Sequence, residues 1–288
     1  MMDLKVGVIG GSGLYQMKGL EVIEERSIST PFGEPSDRFV LGTIDGTGVA
    51  FLARHGRGHR ILPGEINFRA NLYAFKTLGV ESILSVSAVG SMREDLHPTD
   101  ILFPDQFIDR TRQRPDTFFG NGIAAHVAFA EPTCTEVARA AAEVATRTGA
   151  TNRMGGTYIC IEGPQFSTRA ESLLYRSWGV DVIGMTNLQE AKLAREAEIC
   201  YATMAMVTDY DCWHETEEAV NVEQVVEYLN RNADTATAII RETVPKLAAR
   251  ERTCPCATAL RFGILTQPAA IPESVKRDLA PIIGKYVS

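Results

Sequence analysis

Lys5-Val6-Gly7-Val8-Ile9-Gly10-Gly11-Ser12-Gly13 is the stretch on which the fold class turns. An apolar run ends in a glycine-rich tight turn, which reads as a buried strand leading into a loop. Working outward, residues 39–44 and 48–53 read as a hairpin around Asp45-Gly46. Phe68, Leu72 and Phe75 give residues 67–78 helical spacing, and residues 82–87 follow as a buried strand. Residues 101–108 read as one strand, 132–147 as a helix and 156–161 as a strand. Thr168-Arg169-Ala170-Glu171 and Thr186-Asn187-Leu188-Gln189 are capping-box patterns that open two helices, with a strand at 181–185 between them. Residues 200–207 form an apolar strand, and a long helix and tail begin at about residue 221. There is no internal repeat and no linker rich in Gly, Ser or Pro. The expectation is one α/β domain over residues 1–288, with a central mixed, mostly parallel sheet flanked by helices.

Composition narrows the function classes. The 288 residues carry 29 Lys+Arg against 36 Asp+Glu, a net charge of −7. That balance argues against nucleic acid or an anionic membrane as partner, since both reward a positive surface. No run of 18 apolar residues occurs, and the first residues lack the charged and apolar regions of a signal peptide, so a cytoplasmic protein is expected. The six cysteines (134, 160, 200, 212, 254 and 256) form no pair of CxxC knuckles, so no metal site is expected. Cys254-Pro255-Cys256 reads either as free thiols in a reducing compartment or as a redox pair.

In open α/β sheets ligands gather at the carboxyl ends of strands. Five polar segments follow apolar strands directly: 10–13, 53–60, 87–91, 186–190 and 208–213. The first supplies backbone N–H groups and the Ser12 hydroxyl for an anion, yet is no Walker A loop, and Gln16 stands where a dinucleotide fingerprint needs its third glycine. Arg54-His55-Gly56-Arg57-Gly58-His59 is a cationic cluster with glycines that let a phosphate or carboxylate approach, or else a solvated basic loop. Ser87, Ala88 and Thr186 add hydroxyls, backbone donors and a helix N-terminus. Asp209-Tyr210-Asp211 ends the most apolar strand, so its two carboxylates can face one way, one donating a proton to a ring nitrogen and the other accepting from an amino group.

Taken together, the stretches GVIGGSGL (7–14), TPFGEPS (30–36), RHGRGH (54–59), INFRANLYAFKTLG (66–79), SAVGSM (87–92), AEPTC (130–134), EGPQFSTRAES (162–172), GMT (184–186), EAEICYA (196–202) and TDYDCW (208–213) resemble the purine nucleoside phosphorylase family, in its methylthioadenosine phosphorylase branch. The resemblance implies phosphorolysis of a purine nucleoside with phosphate as co-substrate and no metal or organic cofactor. It implies a phosphate site at Ser12, Arg54, His55, Ser87, Ala88 and Thr186, with Met185 along the ribose and Phe166 and Ser167 at the base. Asp209 would act on N7 as the catalytic acid, and Asp211 would read the 6-amino group. His126 resembles a histidine that reaches a neighbouring subunit's 5′ pocket, which implies a homotrimer or a hexamer of trimers.

Asn187-Leu188-Gln189-Glu190 departs from the Thr-Val-Pro-Glu of eukaryotic members, which makes Asn187 a candidate ligand contact and keeps 6-oxopurines and adenosine open as substrates. Relatives from heat-loving organisms carry a similar Cys-x-Cys and internal disulfides, and by that resemblance Cys134 and Cys200 are candidates for a pair. Two readings from other classes stay open: a nicotinamide-dependent dehydrogenase and a nucleoside-binding protein without catalysis.

Overall fold

A computed structural model describes residues 2–11, 14, 17–214 and 222–287. In chain order the elements are β1 (Val6–Gly10), β2 (Glu21–Arg26), β3 (Phe39–Ile44), β4 (Thr47–Ala53), α1 (Phe68–Thr77), β5 (Ser82–Ser91), β6 (Ile101–Phe103), β7 (Gln106–Arg110) and α2 (Thr135–Arg147). They continue as β8 (Asn152–Met154), β9 (Thr157–Ile161), α3 (Arg169–Ser177), β10 (Val182–Gly184), α4 (Asn187–Glu196), β11 (Cys200–Asp209), α5 (Val222–Ala249), α6 (Glu273–Asp278) and α7 (Ala280–Ile283). The strands build one branched sheet in the order β2-β3-β4-β1-β5-β10-β9-β7, with β11 along β5 and β6 and β8 beyond it. Six ladders are parallel and four antiparallel, so the α/β fold with a mixed, mostly parallel sheet is as expected.

Period-two alternation explains why the central strands are apolar on both faces. Val6, Val8, Val49, Phe51, Cys200, Ala202, Met204 and Met206 pack with α2 and α5 on one side of the sheet. Ile9, Ala50, Leu52 and Tyr201 turn the other way and pack with α1, α4 and α7. Among the described residues no helix is long and apolar enough to cross a membrane.

Two expectations are corrected by the fold. Residues 101–108 are two strands, because Pro104 has no N–H to give a ladder; β6 pairs with β11 and β8, whereas β7 pairs with β9. Four of the cysteines, whose spacing offers no ligand grouping in the sequence, are also brought together. Cys134 stands at the N-cap position of α2, Cys200 opens β11, and Cys254 and Cys256 lie at the start of the turn that follows α5. The Sγ atoms of these four lie within 4.8 Å of one another, as free thiols. Ligand spacing in the sequence missed this group because three distant segments make it.

Candidate active site

Carboxyl ends of β1, β4, β5, β9, β10 and β11 open onto one cavity of about 390 Å³, in the range of small-ligand sites. Parallel register sets them level, with Gly10 opposite Ala53 and Ile9 opposite Ser85. At Gly11 a Cβ would stand 2.9 Å from the Val86 carbonyl oxygen and 3.1 Å from Arg54 Nη1, so a glycine is needed where β1 turns beside β5. Ala88 is the one exposed residue in the ten of β5, and there the strand's backbone meets the cavity.

At the anion end Arg54 is 1% exposed. Its Nε donates to Glu190 Oε1 at 2.5 Å, Nη1 to the Val86 carbonyl at 2.9 Å and Nη2 to Ser85 Oγ at 2.6 Å. Burial disfavours the charge, but the Glu190 carboxylate outweighs it and holds the guanidinium above its ordinary range. The ion pair therefore brings little net charge, and an anion here depends on hydrogen-bond donors. His55 donates from Nδ1 to the Ile61 carbonyl at 2.9 Å and stacks on His59 at 4.4 Å between centroids. Because a carbonyl only accepts, the ring proton sits on Nδ1 and Nε2 is an acceptor. Burial first, then the Arg54 charge, pushes His55 down to about 4, so it is neutral at physiological pH.

Thr186 stands at the N-cap of α4 without capping it; its hydroxyl lies 3.3 Å from Asn187 Oδ1 instead. The expected capping box at 186–189 is thus not formed. Asn187 is also corrected as a ligand contact: it is fully buried. Its Nδ2, with two N–H groups to give, lies 3.1 Å from Ser85 Oγ, 2.9 Å from Tyr201 OH and 3.1 Å from Thr203 Oγ1. In the first turn of α4 the side chain points down at the sheet, and with Glu190, which accepts from Tyr201 OH at 2.8 Å, it pins the helix N-terminus over β5 and β11.

The opposite end carries the two acids. A bulge between Val207 and Asp209 brings Asp209 opposite Gly90, where a Cβ would stand 2.9 Å from Asp209 Oδ1. Asp209 accepts from Thr208 Oγ1 at 2.7 Å and from the Asp211 N–H at 2.8 Å. Asp211 sits at φ 51°, accepts from Ser172 Oγ at 2.5 Å, and burial raises its carboxyl above the ordinary range. The capping box expected at 168–171 is formed and opens α3, the helix that carries Ser172. Ser167 Oγ is shielded from solvent with no protein partner, in the wall of the same cavity. The cavity thus pairs two carboxylates and a free hydroxyl at one end with a neutral imidazole, hydroxyls and an ion pair at the other.

A profile of the Phosphorylase superfamily matches residues 5–245. The chain belongs to that superfamily. Among similar proteins, S-methyl-5'-thioadenosine phosphorylase of Koribacter versatilis is 58% identical over 99% of this chain and 97% of its own length. The protein of that name from Gloeobacter violaceus is 59% identical over 98% and 96%. A methylthioadenosine phosphorylase from an Antarctic soil metagenomic library superposes with TM-score 0.93 at 49% identity, covering 98% of this chain and 99% of the other. Methylthioadenosine phosphorylase from Schistosoma mansoni, solved with adenine, superposes with TM-score 0.83 at 33% identity, covering 98% of both.

In this superfamily member the cavity gathers Arg54, His55, Ser87, Ala88, Phe166, Ser167, Met185, Thr186, Asp209 and Asp211 of the residues expected at the site. Ser12 lies outside the described residues. His126 is exposed and is not among the cavity's lining residues. Sequence reasoning missed Arg114, which is buried and donates from Nε to Glu162 Oε1 at 3.0 Å and from Nη1 to the Met185 carbonyl at 2.6 Å. Leu62, Pro63 and Leu229 were missed too, and add an apolar part to the wall. The one sequence hint for Arg114 and Glu162 is charge within otherwise strand-flanking segments.

Proposed function

We propose that the chain cleaves S-methyl-5'-thioadenosine with phosphate, giving adenine and S-methyl-5-thioribose 1-phosphate, as in purine and methionine salvage. The observation that carries this is one cavity with a neutral-histidine and hydroxyl cluster at one end and Asp209 and Asp211 at the other. In the reaction the C1′–N9 bond breaks and its electron pair leaves with the purine. Asp209 gives a proton to N7, which makes the base a better leaving group. A phosphate oxygen then bonds to C1′, and solvent returns the proton to Asp209.

Phosphate needs positioning rather than activation. Ser12, Ser87 Oγ, the Ala88 N–H and Thr186 Oγ would donate to its oxygens, and His55 Nε2 would accept from its remaining O–H. Arg54, held by Glu190, shapes this floor. The Met185 side chain would lie along the ribose, with Phe166 and Ser167 flanking the base. Written this way, the reaction uses phosphate as co-substrate and requires no resident cofactor. Leu62, Pro63 and Leu229 favour a methylthio group over a 5′-hydroxyl. We assign His126 to the site of a neighbouring copy in a homo-oligomer. Support comes from its place beside Gly263, whose carbonyl accepts from the His126 N–H at 2.8 Å, between the exposed Phe262 and Leu265.

Asp211 favours one further substrate reading. Burial raises its carboxyl above the ordinary range, and O6 needs a donor where a 6-amino group needs an acceptor, so 6-oxopurines belong in the same assay. The test is release of free base from methylthioadenosine, methylthioinosine, adenosine and inosine, with and without phosphate. Phosphate-dependent adenine release, fastest from the methylthio substrate, is expected. A faster 6-oxopurine would overturn the assignment of the acid pair, and no release from any substrate would leave a binding protein.

A further inference from the structure

At the far side of the sheet from the cavity, four thiols meet. Cys134, Cys200 and Cys256 are almost fully buried, and Cys254 is half-buried. Cys200 Sγ lies 3.3 Å from Cys254 Sγ, Cys134 Sγ lies 3.8 Å from Cys254 Sγ, and all four stay within 4.8 Å of one another. A tetrahedral Zn²⁺ with Zn–S bonds of about 2.3 Å holds its sulfurs about 3.8 Å apart. The observed separations bracket that edge. An iron–sulfur cluster of several irons would spread its cysteine sulfurs wider than this; two disulfides would also use all four sulfurs, and they are the competing state that the test below separates from a metal site.

The surroundings match the charge of such a centre. Four thiolates around a divalent cation carry a net charge of −2, which a buried site must balance. Arg250 Nη2 lies 3.4 Å from Cys200 Sγ while its Nη1 pairs with the Glu136 carboxylate, and Arg252 donates to the neighbouring Glu198 carbonyl at 2.7 Å. The Nε atoms of both arginines are buried donors without a protein partner. We propose that Cys134, Cys200, Cys254 and Cys256 form a structural site for one Zn²⁺ per chain, fastening the segment after α5 to the start of β11 and the N-terminus of α2. Ligands drawn from three segments close long loops, where a cross-link restricts the unfolded chain most.

The test is metal content of the whole protein, purified under reducing conditions without chelator and measured by inductively coupled plasma mass spectrometry. About one zinc per chain is expected, falling at least tenfold in Cys254→Ser. Cobalt(II) added to reduced, metal-stripped wild type should give the strong thiolate-to-metal absorption of a tetrathiolate centre, and this readout needs no variant to fold. Zinc binding should also protect all four thiols from alkylation in the native protein. The proposal fails if reduced wild type takes up neither metal at stoichiometric supply. It also fails if peptide mapping of protein made without reductant finds these cysteines paired as disulfides.

Discussion

Asp209 and His55 show how position alone sets a side chain's work. Asp209 stands where a strand bulge and Gly90 leave room for its carboxylate. Asp209→Asn keeps the size and removes the acid, so kcat for methylthioadenosine should fall by at least about 100-fold, with phosphate KM little changed; steady-state kinetics with both substrates varied checks this. His55 is neutral in the native state down to about pH 4, against 6.5 for an unburied imidazole. Its contribution to stability is complete above pH 6.5. As the pH falls from there to about 4, the unfolded chain takes up a proton that the native one refuses, and stability drops by up to about 3 kcal/mol. His55→Gln should remove that part of the acid sensitivity in denaturant titrations at several pH values. An unchanged slope would place the native pKa near its ordinary value. Arg54, His55, Ser87, Thr186 and the two acids were legible because each stands at or near the carboxyl end of an apolar strand. Glu190 and Arg114 were not, because a charge chosen to balance another charge in the interior leaves no local pattern. Asn187 was misread for a related reason: its neighbours suggested the ligand, while the direction of its side chain is fixed by the sheet below.

At the scale of elements, local chemistry predicted helices better than it predicted what their ends do. Thr168 and Thr186 head the same kind of motif, yet only Thr168 closes its box, with Oγ accepting from the Glu171 N–H at 3.2 Å. At Thr186 the first turn of α4 is committed to the sheet through Asn187 and Glu190, and the hydroxyl faces the cavity wall. Thr168→Ala should cost about 1 kcal/mol of stability and, by loosening α3 and Ser172 beneath Asp211, raise the nucleoside KM more than the phosphate KM. Thermal unfolding and substrate titrations read the two effects separately; equal change in both KM values would disconnect α3 from the base end. The strand at 101–108 split at Pro104, and β2, exposed at all six positions, offered no apolar rhythm to detect.

For the whole molecule the open question is association. Phe262 is 85% exposed and Leu265 65% exposed, on the segment that pairs with residues around His126 through the Ala125–Ile264 bridge. Two large apolar side chains exposed on one short segment fit the proposed contact between copies. Phe262→Glu with Leu265→Glu should shift the sedimentation coefficient to that of a monomer and raise the KM for methylthioadenosine several-fold. A wild type that already sediments as a monomer would remove the homo-oligomer reading, and a variant that sediments like an oligomeric wild type would move the interface elsewhere. The sheet class was readable from strand–helix alternation, but the meeting of Cys134, Cys200, Cys254 and Cys256 was not, since only a completed tertiary fold brings residues so far apart in sequence within bonding reach.

β5 and β11 run side by side for ten residues each, from Ser82 and Cys200 at one tip to Gly90 and Asp209 at the other. At about 3.3 Å per residue the tips are roughly 30 Å apart. The four thiols and the cavity therefore stand at opposite ends of the same pair of strands, with the sheet and its flanking helices between them. Changes at sites that far apart with no shared partners add rather than compound, so the thiol end can be altered for a hotter or more oxidising habitat with little effect on which nucleoside the other end takes.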